Sequence, residues 1–343
     1  MRILIFLLFS SFSYAGVEEI FDQPDQQIVI ATKKFEFDRF PGAFNPSIIK
    51  MDTGFLLTFR YCPDLSNQPW LSYIGIVVLD PSLNPTTSPK LLSTRAKQSK
   101  TPSQTEDARF FTYRNKLFLL YNDNLDEIYF DTGRRRDMFM AELTSSDGHF
   151  QLSSPLKLVF EEKYQSQWQQ KNWIPFEWHN ELYFSYSIHP HEVLSPNFKT
   201  GICHALYKTT APIQWPYGPL RGSSYAQLVD GEYLAFFHSG IKIKSSASHN
   251  WKLWHYFMGA FTFSPDPPFA ITKMTPQPII SEDFYTPSYR EKRVVFPGGF
   301  AIDGPYIYVA YGKDDCEIWV ATLDKEALRK ALKPQRGLGI QPY

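Results

Sequence analysis

Five stretches of the chain repeat one pattern, and this repetition restricts the fold more than any other feature of the sequence. Each stretch runs from a short apolar segment, through a turn at Gly, Asn or Asp, into an alternating strand rich in aromatic residues. Such a pair of segments is typical of a β-hairpin. The five stretches begin at Asn45, Glu106, Lys171, Ser224 and Val294.

A further apolar segment follows each hairpin, so each repeat supplies three to four strands. Repeats of this kind are typical of a β-propeller, whereas a β-sandwich does not repeat at this period. Residues 325–333 have helical spacing and contain no proline. The sequence therefore predicts an all-β chain, with one five-bladed β-propeller domain over residues 16–343 and a short C-terminal helix over residues 325–333.

The N-terminus has the order of a secretory signal peptide. Arg2 precedes an unbroken apolar run over residues 3–9, and small residues follow at positions 13–15. We expect residues 1–15 to direct export to a periplasm, a secretory lumen or the outside of the cell. The run is too short to span a bilayer, so we expect no membrane span in the mature chain. The alternative is an N-terminal anchor that is never cleaved.

The balance of charge and the cysteine content restrict the classes of binding partner that we expect. Lys and Arg number 35 and Asp and Glu also number 35, a balance that argues against a nucleic-acid surface. The three cysteines are too far apart for a CxxC metal or redox motif, and both one disulfide with a free thiol and three buried thiols remain open. We expect an oligosaccharide or glycan partner and no cofactor, with inorganic phosphate as a candidate co-substrate. The oligomeric state cannot be read from the sequence.

Polar residues stand at equivalent strand ends in the repeats, where a propeller brings them together around its central funnel. Both signs of charge occur there, so this funnel can bind sugar hydroxyls and also attract an anion. The candidate site residues are Asn45, Arg60, Glu106, Asp107, Arg109, Lys171, Asn172, His238 and Asp315.

Glu106, Asp107 and Arg109 form the most specific element. Two adjacent carboxylates beside a guanidinium allow one acid to be ion-paired and the other to transfer protons. The alternative is a structural bridge between neighbouring blades. In the third repeat, Trp173 is either a platform for a sugar ring or a core residue. The motif from His189 to Glu192 is a weak candidate for metal binding, and we expect no metal.

Several short motifs occur in an order that resembles a known family over residues 40–325. They are EDAR at 106–109, KNW at 171–173, FFHSG at 236–240, YFMGAF at 256–261 and YGKDD at 311–315. The chain resembles the five-bladed β-mannoside phosphorylases and hydrolases of glycoside hydrolase family 130 and their related mannosyltransferases. It looks like a divergent branch, because the family's Pro is Ala108 here and a Gly/Pro-rich run reads Arg221-Gly222-Ser223-Ser224.

The resemblance implies cleavage with inversion at the anomeric carbon, by phosphate or by water. Asp107 would be the general acid, acting through a sugar hydroxyl. The substrate-binding residues would be Asn45, Arg60, Glu106, Arg109 and Asp315. The phosphate-binding residues would be Lys171, Asn172 and His238. Two alternatives remain: a glycosyltransferase with a sugar-phosphate donor, and a non-catalytic sugar-binding propeller.

Overall fold

The computed structural model describes residues 20–21, 27–95, 101–125, 135–146, 148–164, 169–335 and 339–341. The predicted signal segment, residues 1–15, lies outside the described residues. Within the described part of the chain, no helix is long and apolar enough to cross a membrane. Cys62, Cys203 and Cys316 are buried free thiols, the second of the two arrangements that the sequence left open.

The chain is built almost entirely of β-strands, which follow one another in antiparallel runs. The first strand, β1 (Val29–Phe35), joins the last run. Run 1 contains β2 (Phe44–Met51), β3 (Gly54–Tyr61), β4 (Tyr73–Leu79) and β5 (Lys90–Leu91). Run 2 contains β6 (Glu106–Tyr113), β7 (Lys116–Asp123), β8 (Asp137–Ser146), β9 (His149–Leu152) and β10 (Leu156–Phe160). Run 3 contains β11 (Ile174–Trp178), β12 (Glu181–Ile188), β13 (His191–Pro196) and β14 (Ile202–Thr210).

The later runs follow the same order with two variations. Run 4 contains β15 (Arg221–Gly222), β16 (Gln227–Val229), β17 (Glu232–Ile243), β18 (Leu253–Phe263) and β19 (Ile271–Met274). Run 5 contains β20 (Arg293–Asp303), β21 (Tyr306–Lys313) and β22 (Glu317–Asp324), with β1 as its outer strand. The first strand of run 4 is thus split in two, and run 5 is completed from the other end of the chain.

Parallel pairing joins neighbouring runs into larger sheets. β10 pairs with β14, and β18 pairs with β20. Runs 2 and 3 therefore belong to one 10-stranded sheet and runs 4 and 5 to another, while run 1 is a separate 4-stranded sheet. The described residues also form α1 (Glu161–Tyr164), α2 (Lys325–Ala331), β23 (Lys333–Pro334) and β24 (Gly339–Gln341), with short 3₁₀ turns at Ser246–Ser248 and Glu282–Phe284. The predicted C-terminal helix is present and ends two residues early, whereas the short α1 was not predicted.

The predicted hairpin turns form for a local reason. At each of three turns, two consecutive residues have positive φ, as a two-residue type I′ turn requires. These pairs are Arg114 and Asn115, His179 and Asn180, and Asp230 and Gly231. Asn, Asp and Gly tolerate this conformation best, which explains why the sequence marks these turns clearly.

The first strands of all the runs share one cavity of about 380 Å³ near their hairpin turns. It is lined by Lys50 of β2, Thr112 of β6, Glu177 of β11, Leu228 of β16 and Ile302 of β20, with their neighbours. Four of the predicted site residues, Asn45, Glu106, Asp107 and Arg109, lie in the opposite halves of β2 and β6.

Candidate functional site

Glu106 is the most heavily paired acid of the site. Arg60 Nη2 donates to its Oε1 over 3.0 Å, and Arg136 Nη2 donates to the same atom over 3.2 Å. Its Oε2 accepts from Lys171 Nζ over 2.9 Å and from Asn122 Nδ2 over 3.0 Å. Burial alone would raise the pKa of Glu106, but Arg60, Lys171 and Arg136 hold it well below its usual range. Glu106 is therefore a fixed carboxylate that ties three runs together.

Asp107 lies on a β-bulge that turns its side chain away from the ladder. Its φ is 52°, and the β6–β7 register shifts between Glu106 and Arg109. Asn45 repeats this geometry in run 1, with a φ of 47° and a register shift in the same part of β2. Asp and Asn are the non-glycine residues that adopt this conformation most readily. The first strands thus present polar side chains where the bulges interrupt their pairing.

The Asp107 carboxylate is less constrained than its neighbour. Asn45 Nδ2 donates to Asp107 Oδ1 over 2.9 Å, and Arg60 Nη1 lies 3.6 Å from the same oxygen. The side chain keeps 12% of its surface exposed, compared with 6% for Glu106. Among the described residues nothing donates to Asp107 Oδ2. One oxygen of this acid is therefore held, and the other is left for a ligand.

Arg109 is a buried cation with no carboxylate partner among the described residues. Its Nη1 donates to the carbonyl of Trp173 over 3.0 Å, and its Nη2 donates to Asn172 Oδ1 over 3.1 Å. Burial lowers the pKa of Arg109 to about 10, against the attraction of Asp107. Trp173 itself is fully buried, so it is a core residue and not a sugar platform.

His238 is buried beside this guanidinium. Its Nδ1 lies 2.6 Å from Ser223 Oγ, and its ring stacks on Tyr256 at 5.7 Å. The ring of Phe296 lies 4.8 Å from His238 and 6.0 Å from Arg109, so the two side chains flank it. Burial, helped by nearby Arg charges, holds the pKa of His238 well below its usual 6.5. The imidazole is neutral at pH 7, and its Nε2 has no hydrogen-bond partner among the described residues, so it can hydrogen-bond a ligand.

Arg221 stands directly opposite His238 in the β15–β17 ladder. Its side chain is exposed and makes no ion pair with any described residue, yet its charge helps to lower the pKa of His238. The sequence showed Arg221 only as a departure from the family pattern, and did not show it as a site residue.

Arg136, which pairs with Glu106, was also not predicted as a site residue, because nothing in the sequence distinguishes it from the neighbouring arginines.

Asp315 occupies the turn after β21, where its carboxylate pairs with Lys292 Nζ. Its side chain is 30% exposed. Its charge also acts on Arg60. Burial alone would lower the pKa of Arg60, but nearby acids, first Glu106 and more weakly Asp315, raise that pKa above its usual value. Asp315 thus lies close to the Glu106 cluster without bonding to it.

The His189–Glu192 motif plays no part in this cluster. His191 is buried, with Nδ1 2.8 Å from the carbonyl of Phe269 and Nε2 2.9 Å from Ser185 Oγ. Burial lowers its pKa to about 4. Both ring nitrogens are occupied by protein atoms, so His191 has a structural role. The described residues contain no group of three His, Cys, Asp or Glu side chains that could hold a metal ion.

The structure brings the predicted site residues together in three groups. Direct contacts join Asn45, Arg60, Glu106, Asp107 and Lys171. Arg109 and Asn172 form a second pair, and His238 and Asp315 approach the others through ring contacts and charge. Within the described part of the chain, such a site offers a carboxylate with one oxygen free beside cations that have no carboxylate partner. It can bind sugar hydroxyls, donate a proton and hold an anion.

No protein-family profile matches the chain, and no curated protein matches its sequence. Its fold, however, is that of mannoside phosphorylases and glycoside hydrolases of glycoside hydrolase family 130. The β-1,2-mannobiose phosphorylase from Listeria innocua, solved with β-1,2-mannobiose, is 16% identical with a TM-score of 0.58, covering 89% of this chain and 96% of that one.

Two further structures show the same likeness. A mannose phosphorylase from Leishmania mexicana, solved with a phosphate ion, is 10% identical with a TM-score of 0.57, covering 95% of this chain and 96% of that one. A family 130 structure, from work on glycoside hydrolases that target β-1,2-mannosidic linkages in Candida mannan, is 11% identical with a TM-score of 0.58. That alignment covers 83% of this chain and 85% of the other.

Proposed function

We propose that the chain is an inverting carbohydrate-active enzyme that cleaves β-mannoside-type glycosidic bonds by phosphorolysis or hydrolysis. This proposal rests on the different surroundings of two adjacent acids. Glu106 is saturated by three cations, while Asp107 keeps one oxygen free. A pair of acids in such different environments is a common basis for dividing roles in catalysis. Similarity of fold to the mannoside phosphorylases supports the choice of substrate class.

In this mechanism Asp107 is the general acid. It passes its proton through a sugar hydroxyl to the glycosidic oxygen, while the nucleophile attacks the anomeric carbon from the opposite face. The Asn45 amide holds one carboxylate oxygen and directs the other towards the sugar. Glu106 stays ionised and positions Arg60 and Lys171 around the substrate.

The nucleophile we favour is inorganic phosphate. Arg109 and Arg221 have no carboxylate partner among the described residues, and the charges of both add to the effect of burial in lowering the pKa of His238. An anion between them would gain charge-assisted hydrogen bonds, with Nε2 of the neutral His238 as a further donor. Lys171 pairs with Glu106, and Asn172 accepts from Arg109, so both lie beside residues of this group. Water is the alternative nucleophile, and a sugar-phosphate donor would run the same chemistry as a transferase.

We also propose that the runs are the five blades of one propeller over residues 16–343. The shared cavity at their hairpin turns and the completion of run 5 by β1 support this arrangement. Export by the segment 1–15 is proposed from the sequence alone. It favours phosphorolysis or hydrolysis over transfer from a nucleotide sugar.

A product assay tests the activity. The purified mature chain is incubated with β-manno-oligosaccharides, with and without inorganic phosphate, and the products are separated. We expect α-mannose 1-phosphate when phosphate is present, because inversion of a β-linkage gives the α-product. Free mannose without any dependence on phosphate would show hydrolysis. Binding of the sugars without any product would instead support the non-catalytic sugar-binding propeller.

A further inference from the structure

The hairpin that joins β17 and β18 extends beyond the candidate site. In run 1, β3 ends one residue after Arg60, whereas β17 continues for five residues after His238. The two strands stay paired from Tyr233 opposite Phe263 to Ile243 opposite Leu253. We call residues 239–257 the rim hairpin, because they continue the two paired strands beyond His238.

A row of aromatic rings leads from the site along one face of this rim hairpin. Gly240 lies opposite Tyr256, and Lys242 lies opposite Trp254. Because alternate residues of a strand share a face, these side chains follow His238 outwards. The His238 and Tyr256 rings stack at 5.7 Å, and the Trp254 ring is 6.2 Å from Tyr256. A Cβ at Gly240 would lie 2.7 Å from the Tyr256 ring, so only glycine lets that ring lie flat on the strand.

The outer part of the rim hairpin is both aromatic and basic. Trp254 is 48% exposed and Trp251 is 69% exposed, although tryptophan is usually well buried. Lys242, Lys244 and Lys252 are exposed and make no ion pair with any described residue. Residues 239–257 include no Asp or Glu. The surface therefore offers ring faces and uncompensated positive charge next to the site.

The tip of the rim hairpin is held rigidly. Ser245 and Ser248 form a reciprocal capping box around a short 3₁₀ turn. His255 Nε2 lies 2.7 Å from Ser245 Oγ, and Arg293 Nε donates to the carbonyl of Ala247 over 2.7 Å. A surface fixed in this way loses little conformational entropy when a ligand binds.

We propose that the rim hairpin is a subsite for the distal, anionic part of a long glycan. Sugar rings stack on Tyr256 and Trp254, and phosphate or carboxylate groups on the distal sugars bind Lys242, Lys244 and Lys252. The inference rests on the proposed function and narrows its substrate to anionic oligosaccharides. An anionic membrane would also attract lysines and tryptophans. A continuous row of rings from His238 favours a chain that enters the site.

Binding measurements test this subsite. The Asp107→Asn protein is used throughout so that no sugar is consumed, and dissociation constants are measured for mannobiose and for a mannotetraose with a terminal 6-phosphate. We expect the phosphorylated tetraose to bind more tightly than mannobiose. Trp254→Ala, and separately the triple change of Lys242, Lys244 and Lys252 to Gln, should each reduce this preference about fivefold to tenfold. Control variants on the opposite face are Tyr306→Ala and Lys199→Gln, which replace an exposed aromatic and an exposed lysine.

Each outcome decides between the proposals. Equal affinity for the two sugars, or a preference that survives both rim variants, overturns the subsite while leaving the proposed function intact. Absence of mannobiose binding, with retained and rim-dependent binding of the phosphorylated tetraose, supports the subsite and shows that an unmodified disaccharide is too short a ligand. Loss of binding to phosphatidylglycerol vesicles in the lysine variant, with an unchanged sugar preference, assigns the surface to a membrane instead.

Discussion

Asn45 Nδ2 donates a hydrogen bond to Asp107 Oδ1 over 2.9 Å, and this bond joins the first strands of runs 1 and 2. Both residues have positive φ, so two β-bulges point these side chains at each other. Asn45 in turn packs on Gly312, where a Cβ would lie only 2.0 Å from Asn45 Oδ1. Three runs therefore fix the orientation of a single carboxylate.

Replacing Asp107 by Asn is expected to abolish turnover while sugar binding is retained. Asparagine keeps the shape of the side chain and an oxygen for the Asn45 amide, but it cannot deliver a proton. Loss of a general acid costs about 10²–10⁴ in rate. The measurement is kcat from the product assay, together with the dissociation constant for mannobiose. The control is Asp303→Asn, which changes an exposed acid at the opposite ends of the strands. Wild-type kcat in Asp107→Asn would remove this residue from the mechanism.

Arg60→Met is expected to lower the free energy of unfolding by about 3 kcal/mol, because it leaves the buried Glu106 short of one of its cations. The matched control is Lys50→Met, which breaks an exposed pair with Asp303 and should cost less than about 1 kcal/mol. Both values come from urea unfolding curves. Equal losses in the two variants would mean that the Glu106 cluster does not hold the runs together.

The repeats and the hairpin turns could be predicted because they depend on local chemistry. Turns such as His179-Asn180 and Asp230-Gly231 need residues that accept positive φ, and the sequence supplies them. The split of the first strand of run 4 into β15 and β16 was not predictable. Their pairing depends on β17, and nothing local to Arg221 or Gln227 marks the interruption.

The location of the site residues could be predicted from the sequence, but their ion pairs and protonation states could not. Strand ends placed Asp107 and Glu106 in one region, yet which of the two acids is saturated depends on Arg60, Arg136 and Lys171, from three different runs. The neutral state of His238 has the same origin, since burial by other runs lowers its pKa. Packing between distant parts of the chain sets these ion pairs and pKa values, and local sequence patterns do not reveal which distant residues come into contact.

Arg221→Gln is expected to weaken the binding of inorganic phosphate about tenfold, because it removes a charge beside His238 that has no ion-pair partner among the described residues. Isothermal titration with phosphate measures the effect. Arg329→Gln is the control, since Arg329 is an exposed arginine of α2 that pairs with Glu326. The same phosphate affinity in Arg221→Gln and in the wild type would place the anion elsewhere or leave hydrolysis as the reaction.

Acid should destabilise the fold in part through His191. Burial lowers its pKa in the folded chain from 6.5 to about 4, so between these values the unfolded chain binds the proton more readily. Folding stability from this group is therefore present above pH 6.5 and is lost as the pH falls towards 4, by up to about 1.4 kcal/mol per pH unit.

Asp123 acts in the opposite direction, because burial raises its pKa to about 6 and folding then favours its protonated form as the pH falls. The wild-type curve alone thus mixes both effects, and a variant is needed to separate them. His191→Gln keeps an amide that can reach Ser185 but no longer titrates. We expect the free energy of unfolding of this variant, measured in urea from pH 7 to pH 4, to fall less steeply than that of the wild type. Parallel curves would show that His191 takes up its proton without cost in the folded state.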